Sequence, residues 1–310
     1  MGNEVDRHPE QDPAGSNVAS PAPAGADPAD FAGRLMQRLG TTAALLGRRV
    51  LGEPVPLDSF GLDRELTEQV VAPALRPLYR SWFKVDAQRM DLVPASGPAL
   101  LVANHSGVLP WDALMLAVAV HDEAPGRRLL RLLAADLVFD VPVLGRLARS
   151  AGAVNARVSD AEALLDAGEL VGVFPEGFRG TGKLYRDRYR LQRFGRGGFV
   201  SVALRTGAPI IPCAVVGAEE AHPMLADVPA LARALKLPYF PITPTWPLLG
   251  PLGLAPLPAS WTIRLADPVP TAHLGAAAAD DPGQVQELAD RVKSEIARML
   301  TDLVPGVDRA

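Results

Sequence analysis

Cysteine is almost absent from this chain. Its 310 residues include one, Cys213, which excludes a disulfide framework and any cysteine-rich zinc site. The five histidines stand singly, with no H-E-x-x-H pair, so no metal is expected. Lysine is scarce too, with four against 27 arginines; alongside abundant Ala, Pro and Gly this reads as a GC-rich coding bias rather than a functional signal. A basic excess is lacking: the net charge of −4 and a pI near 5.8 argue against a general nucleic-acid binder. No clean apolar run reaches the ~18 residues of a membrane span, so no conventional transmembrane helix is predicted. The N-terminus is acidic and has no apolar h-region, so no secretory signal is predicted either. A cytoplasmic protein with peripheral membrane contact is the expectation. What the chain does have is apolar mass, 48% of its residues, enough for a large core.

Residues 1–32 hold six acids and one base, Arg7, so the rest of the chain sums to about +1. This Pro- and Ala-rich stretch has no periodicity and reads as a disordered tail. Residues 33–97 read as N-terminal helices. Within them, residues 33–52 set Leu35, Leu39, Leu45 and Leu46 among Arg34, Arg38, Arg48 and Arg49, a pattern that suits either a basic amphipathic helix on a membrane surface or a helix packed on the domain. Residues 62–83 also read as helical.

From 98 to 275 strands and helices alternate. Strands are predicted at 99–103, 129–134, 152–156, 170–174, 209–216 and 261–266, with helices at 111–120, 142–150 and 197–206. Ser159 and Glu162 suggest a capping box at the start of one further helix. Residues 276–310 hold a C-terminal amphipathic helix, capped by Asp281 with Pro282 in its first turn. The alternation predicts an α/β fold with a mostly parallel central sheet flanked by helices. Residues 237–261 stand apart, with seven prolines and no charge. That density of proline forbids a spanning helix, so the segment must pack on the domain, wall an acyl pocket or dip into a lipid interface.

Two polar clusters follow apolar strands, where sites of α/β sheets gather. The first is Asn104-His105-Ser106-Gly107, with Asp112 behind it. His105 is placed as a general base and Asp112 as the carboxylate on its other ring nitrogen. Taken alone, the pair also fits a loop histidine beside a helix-capping aspartate. The second is Phe174-Pro175-Glu176-Gly177-Phe178-Arg179, an acceptor, an anion clamp and close backbone approach, or else a surface turn with an ordinary ion pair. Arg157, after the strand at 152–156, is a third charged group at the same sheet edge. Gly177 to Leu184 also mimics G-x-x-x-x-G-K-[ST], but Leu184 stands where a Mg²⁺-binding hydroxyl belongs.

Together these blocks resemble the glycerolipid acyltransferase superfamily, which contains the lysophosphatidic acid acyltransferases. The resemblance covers residues 60–275. Its blocks are matched by His105 and Asp112, by Gly152 to Arg157, by Phe174 to Arg179 with Phe178 in place of threonine, and by the proline-bearing strand from Ala208 to Val216. The usual His–Asp spacing is five; here it is seven, which looks like the monoacylglycerol and diacylglycerol acyltransferase-like branch.

The resemblance implies transfer of an acyl group from acyl-CoA or an acyl-carrier protein to a hydroxyl of a glycerolipid. His105 and Asp112 would be catalytic, with Arg157, Glu176, Gly177 and Arg179 binding substrate. No cofactor beyond the acyl thioester is expected, and the implied partners are that donor, a glycerolipid acceptor and a membrane surface. The absence of G-x-S-x-G agrees with a mechanism that needs no acyl-enzyme. A non-catalytic lipid-binding or scaffold protein of the same fold, or a hydrolase, is the competing reading.

Overall fold

The computed structural model describes Gly2 and residues 55–304. The expectations for residues 1–32 and 33–52 fall outside the described residues. Among the described residues the first helical stretch is α1 (residues 64–82), which passes through two π-type turns. Seven strands form one sheet: β1 (Asp86–Gln88), β2 (Ala99–Ala103), β3 (Leu130–Ala134), β4 (Val154–Asn155), β5 (Leu170–Val173), β6 (Ile210–Val216) and β9 (Thr262–Leu265). Their order is β1-β9-β6-β2-β5-β3-β4. All neighbouring pairs are parallel except β6 with β9, so the last strand reverses the sheet at that edge. β7 (Ala226–Asp227) and β8 (Pro241–Ile242) make a separate short ribbon.

The helices after α1 are α2 (Trp111–Glu123), α3 (Asp136–Asp140), α4 (Leu144–Ser150), α5 (Val158–Asp166), α6 (Phe178–Thr181), α7 (Gly198–Thr206), α8 (Ala218–Ala221), α9 (Pro229–Ala234) and α10 (Pro282–Leu303). Strand alternation sorts the core into two layers. Leu100 and Val102 of β2 face α5, α7 and α10, whereas Ala99, Leu101 and Ala103 face α2 and the Phe83–Trp261 pair, whose rings stack at 4.5 Å. α10 buries Val285, Leu288, Val292, Ile296 and Leu300 along one stripe, and Asp281 caps it through the amides of Gly283 and Gln284.

Two local expectations are corrected. The capping box at Ser159 does not form: α5 starts two residues earlier than that cap requires, with Arg157 at its N-cap and no side-chain cap. The region read as one helix over 142–150 holds α4 from Leu144 on, and α3 precedes it unforeseen. The proline-rich segment divides its surface. Trp261 is fully buried, and the Tyr239 hydroxyl donates to the Val108 carbonyl at 2.8 Å. Midway, Leu248 is 84% exposed and Leu252 78%, so core packing does not account for the whole segment. Among the described residues no helix is long and apolar enough to cross a membrane.

Candidate active site

The site is built at the C-terminal ends of β2 and β5, which lie side by side in the sheet. Asn104 directly follows β2 and is fully buried. Its amide donates to the Val215 carbonyl at 2.9 Å and accepts from the Val215 N–H at 2.7 Å, which welds the turn to β6. The next residue, His105, is thereby presented from a fixed main chain. Its Nδ1 lies 2.6 Å from Asp112 Oδ2, and its ring rests against Phe174 with centroids 4.6 Å apart.

Asp112 is completely buried, yet three donors converge on it. Oδ2 also accepts from the Ser106 N–H at 2.9 Å, and Oδ1 from the Ala113 N–H at 2.8 Å. It sits in the first turn of α2, where the helix dipole favours a negative charge. Asp112 does not cap the helix, whose N-cap is Pro110 without a side-chain bond; it accepts one amide of the first turn and one of the histidine turn while it holds the histidine. With the Nδ1 proton directed at the carboxylate, Nε2 keeps its lone pair and can accept a proton.

Glu176 follows β5 and is 4% exposed. Oε1 accepts from the His105 N–H at 2.8 Å, and Oε2 from the Gln192 N–H at 2.5 Å. Its carboxylate thus ties together the histidine turn and the 183–196 loop. Two glycines allow the approach. A Cβ on Gly180 would lie 2.6 Å from the His105 carbonyl oxygen and 2.9 Å from the Glu176 Cβ, and one on Gly107 would lie 2.8 Å from the Ala218 carbonyl oxygen.

Behind Glu176 lies a buried charge pair that residue spacing does not reveal. Lys183, the lysine of the P-loop mimic, contacts Glu219 at 3.2 Å and lies 3.9 Å from Glu176. Burial pushes the Glu219 carboxyl up, and Lys183 opposes that shift. Buried and engaged this way, Lys183 serves the packing of the site rather than a nucleotide loop. Cys213 is likewise buried in β6, and burial pushes its thiol far above its ordinary range, which leaves it unreactive.

The remaining expected residues separate. Gly177 takes a positive φ of 53° and has open space where a Cβ would stand. Arg179 is exposed and lines a cavity of about 340 Å³ together with Glu176, Arg193 and Arg196. Arg157 lies at the end of β4, two strands further along, with Asp136 at 3.8 Å, and lines a different cavity. Sequence reasoning placed Asn104 in the first cluster without a role and missed Glu219, Arg193 and Arg196; the arginine-rich run between Arg186 and Arg196 was the available signal for the last two.

Residues 84–216 match the Acyltransferase family model, a span that contains every residue of the constellation around His105 except Glu219. An uncharacterized protein of Mycobacterium tuberculosis is 50% identical over 98% of this chain and 82% of its own length. The chain belongs to the glycerolipid acyltransferase superfamily. Among more distant relatives is the "DGAT1/2-independent enzyme synthesizing storage lipids" of Homo sapiens, 23% identical over 73% of this chain and 64% of that protein. The crystal structure of the 1-acyl-sn-glycerophosphate (LPA) acyltransferase PlsC from Thermotoga maritima superposes with a TM-score of 0.52 at 18% identity. It covers 89% of this chain and all of that one, and so agrees in fold. Among the described residues of this acyltransferase, no group of three or more His, Cys, Asp or Glu is placed to hold a metal ion.

Proposed function

We propose that this acyltransferase moves a fatty acyl group from acyl-CoA, or from an acyl-carrier protein, to a hydroxyl of a glycerolipid in phospholipid or acylglycerol biosynthesis. The observation that carries the reading is the 2.6 Å contact between His105 Nδ1 and the fully buried Asp112. His105 Nε2 takes the proton from the acceptor hydroxyl, whose oxygen attacks the thioester carbonyl carbon. The tetrahedral adduct collapses with cleavage of the carbon–sulfur bond, and His105 passes its proton to the leaving thiolate, which departs as the free thiol. Asp112 keeps the ring oriented and stabilises the imidazolium between the two transfers. Gly177 and Arg179 meet the substrate from the second turn; Glu176 holds the His105 main chain in place.

The seven-residue His–Asp spacing and the similarity to mammalian proteins named as synthesizing storage lipids favour an acylglycerol acceptor over a phosphorylated one. Contact with a lipid surface, at the cytoplasmic face of a membrane, is supported by the exposed leucines of the charge-free segment, Leu248, Leu249 and Leu252. Vesicle co-sedimentation of the purified chain tests that part.

The chemistry is tested by thiol release from palmitoyl-CoA with wild type and His105→Ala across glycerol phosphate, lysophospholipid, monoacylglycerol and diacylglycerol. Acceptor-dependent release, lowered about 10²–10⁴-fold by the substitution, is expected. Release that needs no acceptor would make the protein a hydrolase. Lipid binding with no release from either thioester donor would favour the binding-protein reading.

A further inference from the structure

The 183–196 segment carries a lysine and five arginines against one acid, Asp187. Most of that charge is answered locally. Lys183 meets Glu219, Arg186 and Arg190 meet Asp187, and Arg188 meets Glu220. Arg193 and Arg196 have no acidic partner among the described residues, and neither does Arg179. All three line the same cavity of about 340 Å³. The one carboxylate in its wall, Glu176, is 4% exposed and has both oxygens engaged by main-chain N–H groups. It therefore offers the arginines little compensation.

The cavity wall also includes Gly195, two residues before the N-cap of α7 at Gly197. That helix begins at Gly198 with no side-chain cap and no acid in its first turn, which leaves the positive end of the helix dipole unanswered. Gly198 has open space where a Cβ would stand, so its main-chain N–H can be approached closely, whereas the Gly195 N–H already donates to the Pro175 carbonyl at 3.2 Å. Behind them the chain is tightly packed: a Cβ on Gly197 would fall 2.5 Å from Val285 of α10. The second large cavity is a useful contrast. There Arg149 and Arg157 are balanced by Asp136, Asp140 and Asp160, and Arg149 lies over the Phe139 ring.

Three uncompensated guanidinium groups beside an open helix N-terminus match the chemistry of a phosphoryl group, which accepts forked hydrogen bonds and carries the charge such a site lacks. We propose that Arg193 and Arg196, with Arg179 and the N-terminus of α7, seat a phosphoryl group of the acyl donor. The assignment rests on the proposed acyl transfer from CoA. With an acylglycerol as acceptor, the phosphates in the reaction are those of the donor. Through Glu176, whose two oxygens hold the His105 and Gln192 amides, the seat is joined rigidly to the catalytic turn. A donor anchored there by its phosphates is thus held at a fixed distance from His105, while Arg179 links the seat to the acceptor side.

Calorimetric titration with free coenzyme A tests the seat without turnover, so its result is independent of whether acyl transfer occurs. In Arg193→Gln/Arg196→Gln the dissociation constant for coenzyme A is expected to rise about tenfold, and wild-type affinity to fall with added salt. Arg127→Gln/Arg233→Gln, which removes the same charge elsewhere, is expected to bind like wild type. Arg193→Lys/Arg196→Lys is expected to recover part of the loss. Thermal melting establishes that each variant is folded. In parallel, KM is measured for lysophosphatidate and for monoacylglycerol. Unchanged coenzyme A affinity together with a raised KM for lysophosphatidate alone would give the seat to the acceptor's phosphate and overturn the donor assignment. Equal weakening by both glutamine pairs would reduce the effect to net charge, and no effect in any arm would leave the arginines as solvated surface; either result overturns the proposal.

Discussion

Asp112→Asn removes one charge and almost no volume, and its effect is set by the three donors around Asp112. Two carboxylate oxygens serve the Ser106 N–H at 2.9 Å, the Ala113 N–H at 2.8 Å and His105 Nδ1 at 2.6 Å. Asparagine has one oxygen. If that oxygen faces Ser106 and His105, the new NH₂ confronts the Ala113 N–H. If it faces Ala113, the NH₂ confronts the Ser106 N–H and forces His105 to accept at Nδ1. The second arrangement puts the ring proton on Nε2, where it cannot act as a base. The first keeps the tautomer but withdraws the negative charge that stabilises the imidazolium. Either way one buried main-chain donor loses its acceptor, at a cost of about 1–3 kcal/mol in stability. Acyl transfer is expected to fall about 10²–10⁴-fold, equivalent to roughly 3–5 kcal/mol of transition-state stabilisation. Palmitoyl-CoA thiol release at saturating acceptor reads the rate, and denaturant unfolding reads the stability. A variant that is destabilised as stated yet keeps its rate within about threefold of wild type would refute the pairing of Asp112 with His105 as a catalytic unit.

Gly180→Ala places a methyl group 2.6 Å from the His105 carbonyl oxygen and should push the histidine turn away from Glu176. A stability loss of about 1–3 kcal/mol with a rate loss of about 10²-fold is expected from melting curves and the same thiol assay, and full activity would show that the turn has slack. Far from the site, Arg76 clamps α1 to α2 through two 2.7 Å bonds to Asp122, and those bonds hold the Asp122 carboxyl well below the usual carboxylate range. The folded state therefore binds fewer protons than the unfolded chain. The contribution is complete above the ordinary carboxylate pKa of about 3.9 and is lost as pH falls below it. Arg76→Ala should cost roughly 1–3 kcal/mol at pH 7 in denaturant melts, with the gap to wild type closing toward acid pH; a gap independent of pH would assign the loss to packing instead.

Much of the α/β organisation is legible in the residue order because parallel central strands are short apolar runs and their partner helices carry periodic faces. β2 reads as Ala99–Ala103 from its five apolar residues alone, and α10 from its stripe and its Asp281 cap. Ser159 misled because a capping box is a local pattern, while α5 starts where the chain leaves β4. Lys183 imitates a phosphate-loop lysine by its spacing from the glycines, a reading that Leu184 already argues against, but only packing shows it buried against Glu219.

Residue order alone carries the fold class, the two strand-end turns and the identities of His105, Asp112, Glu176 and Arg179, since each depends on residues close together in the chain. Which of them meet is a matter of tertiary structure. Strand order puts β5 beside β2 and β4 two places beyond β5, so Glu176 reaches the His105 main chain and Arg157 joins another cavity. The same packing selects which arginines lack a carboxylate, because pairing across elements depends on distances in space that no count along the chain contains.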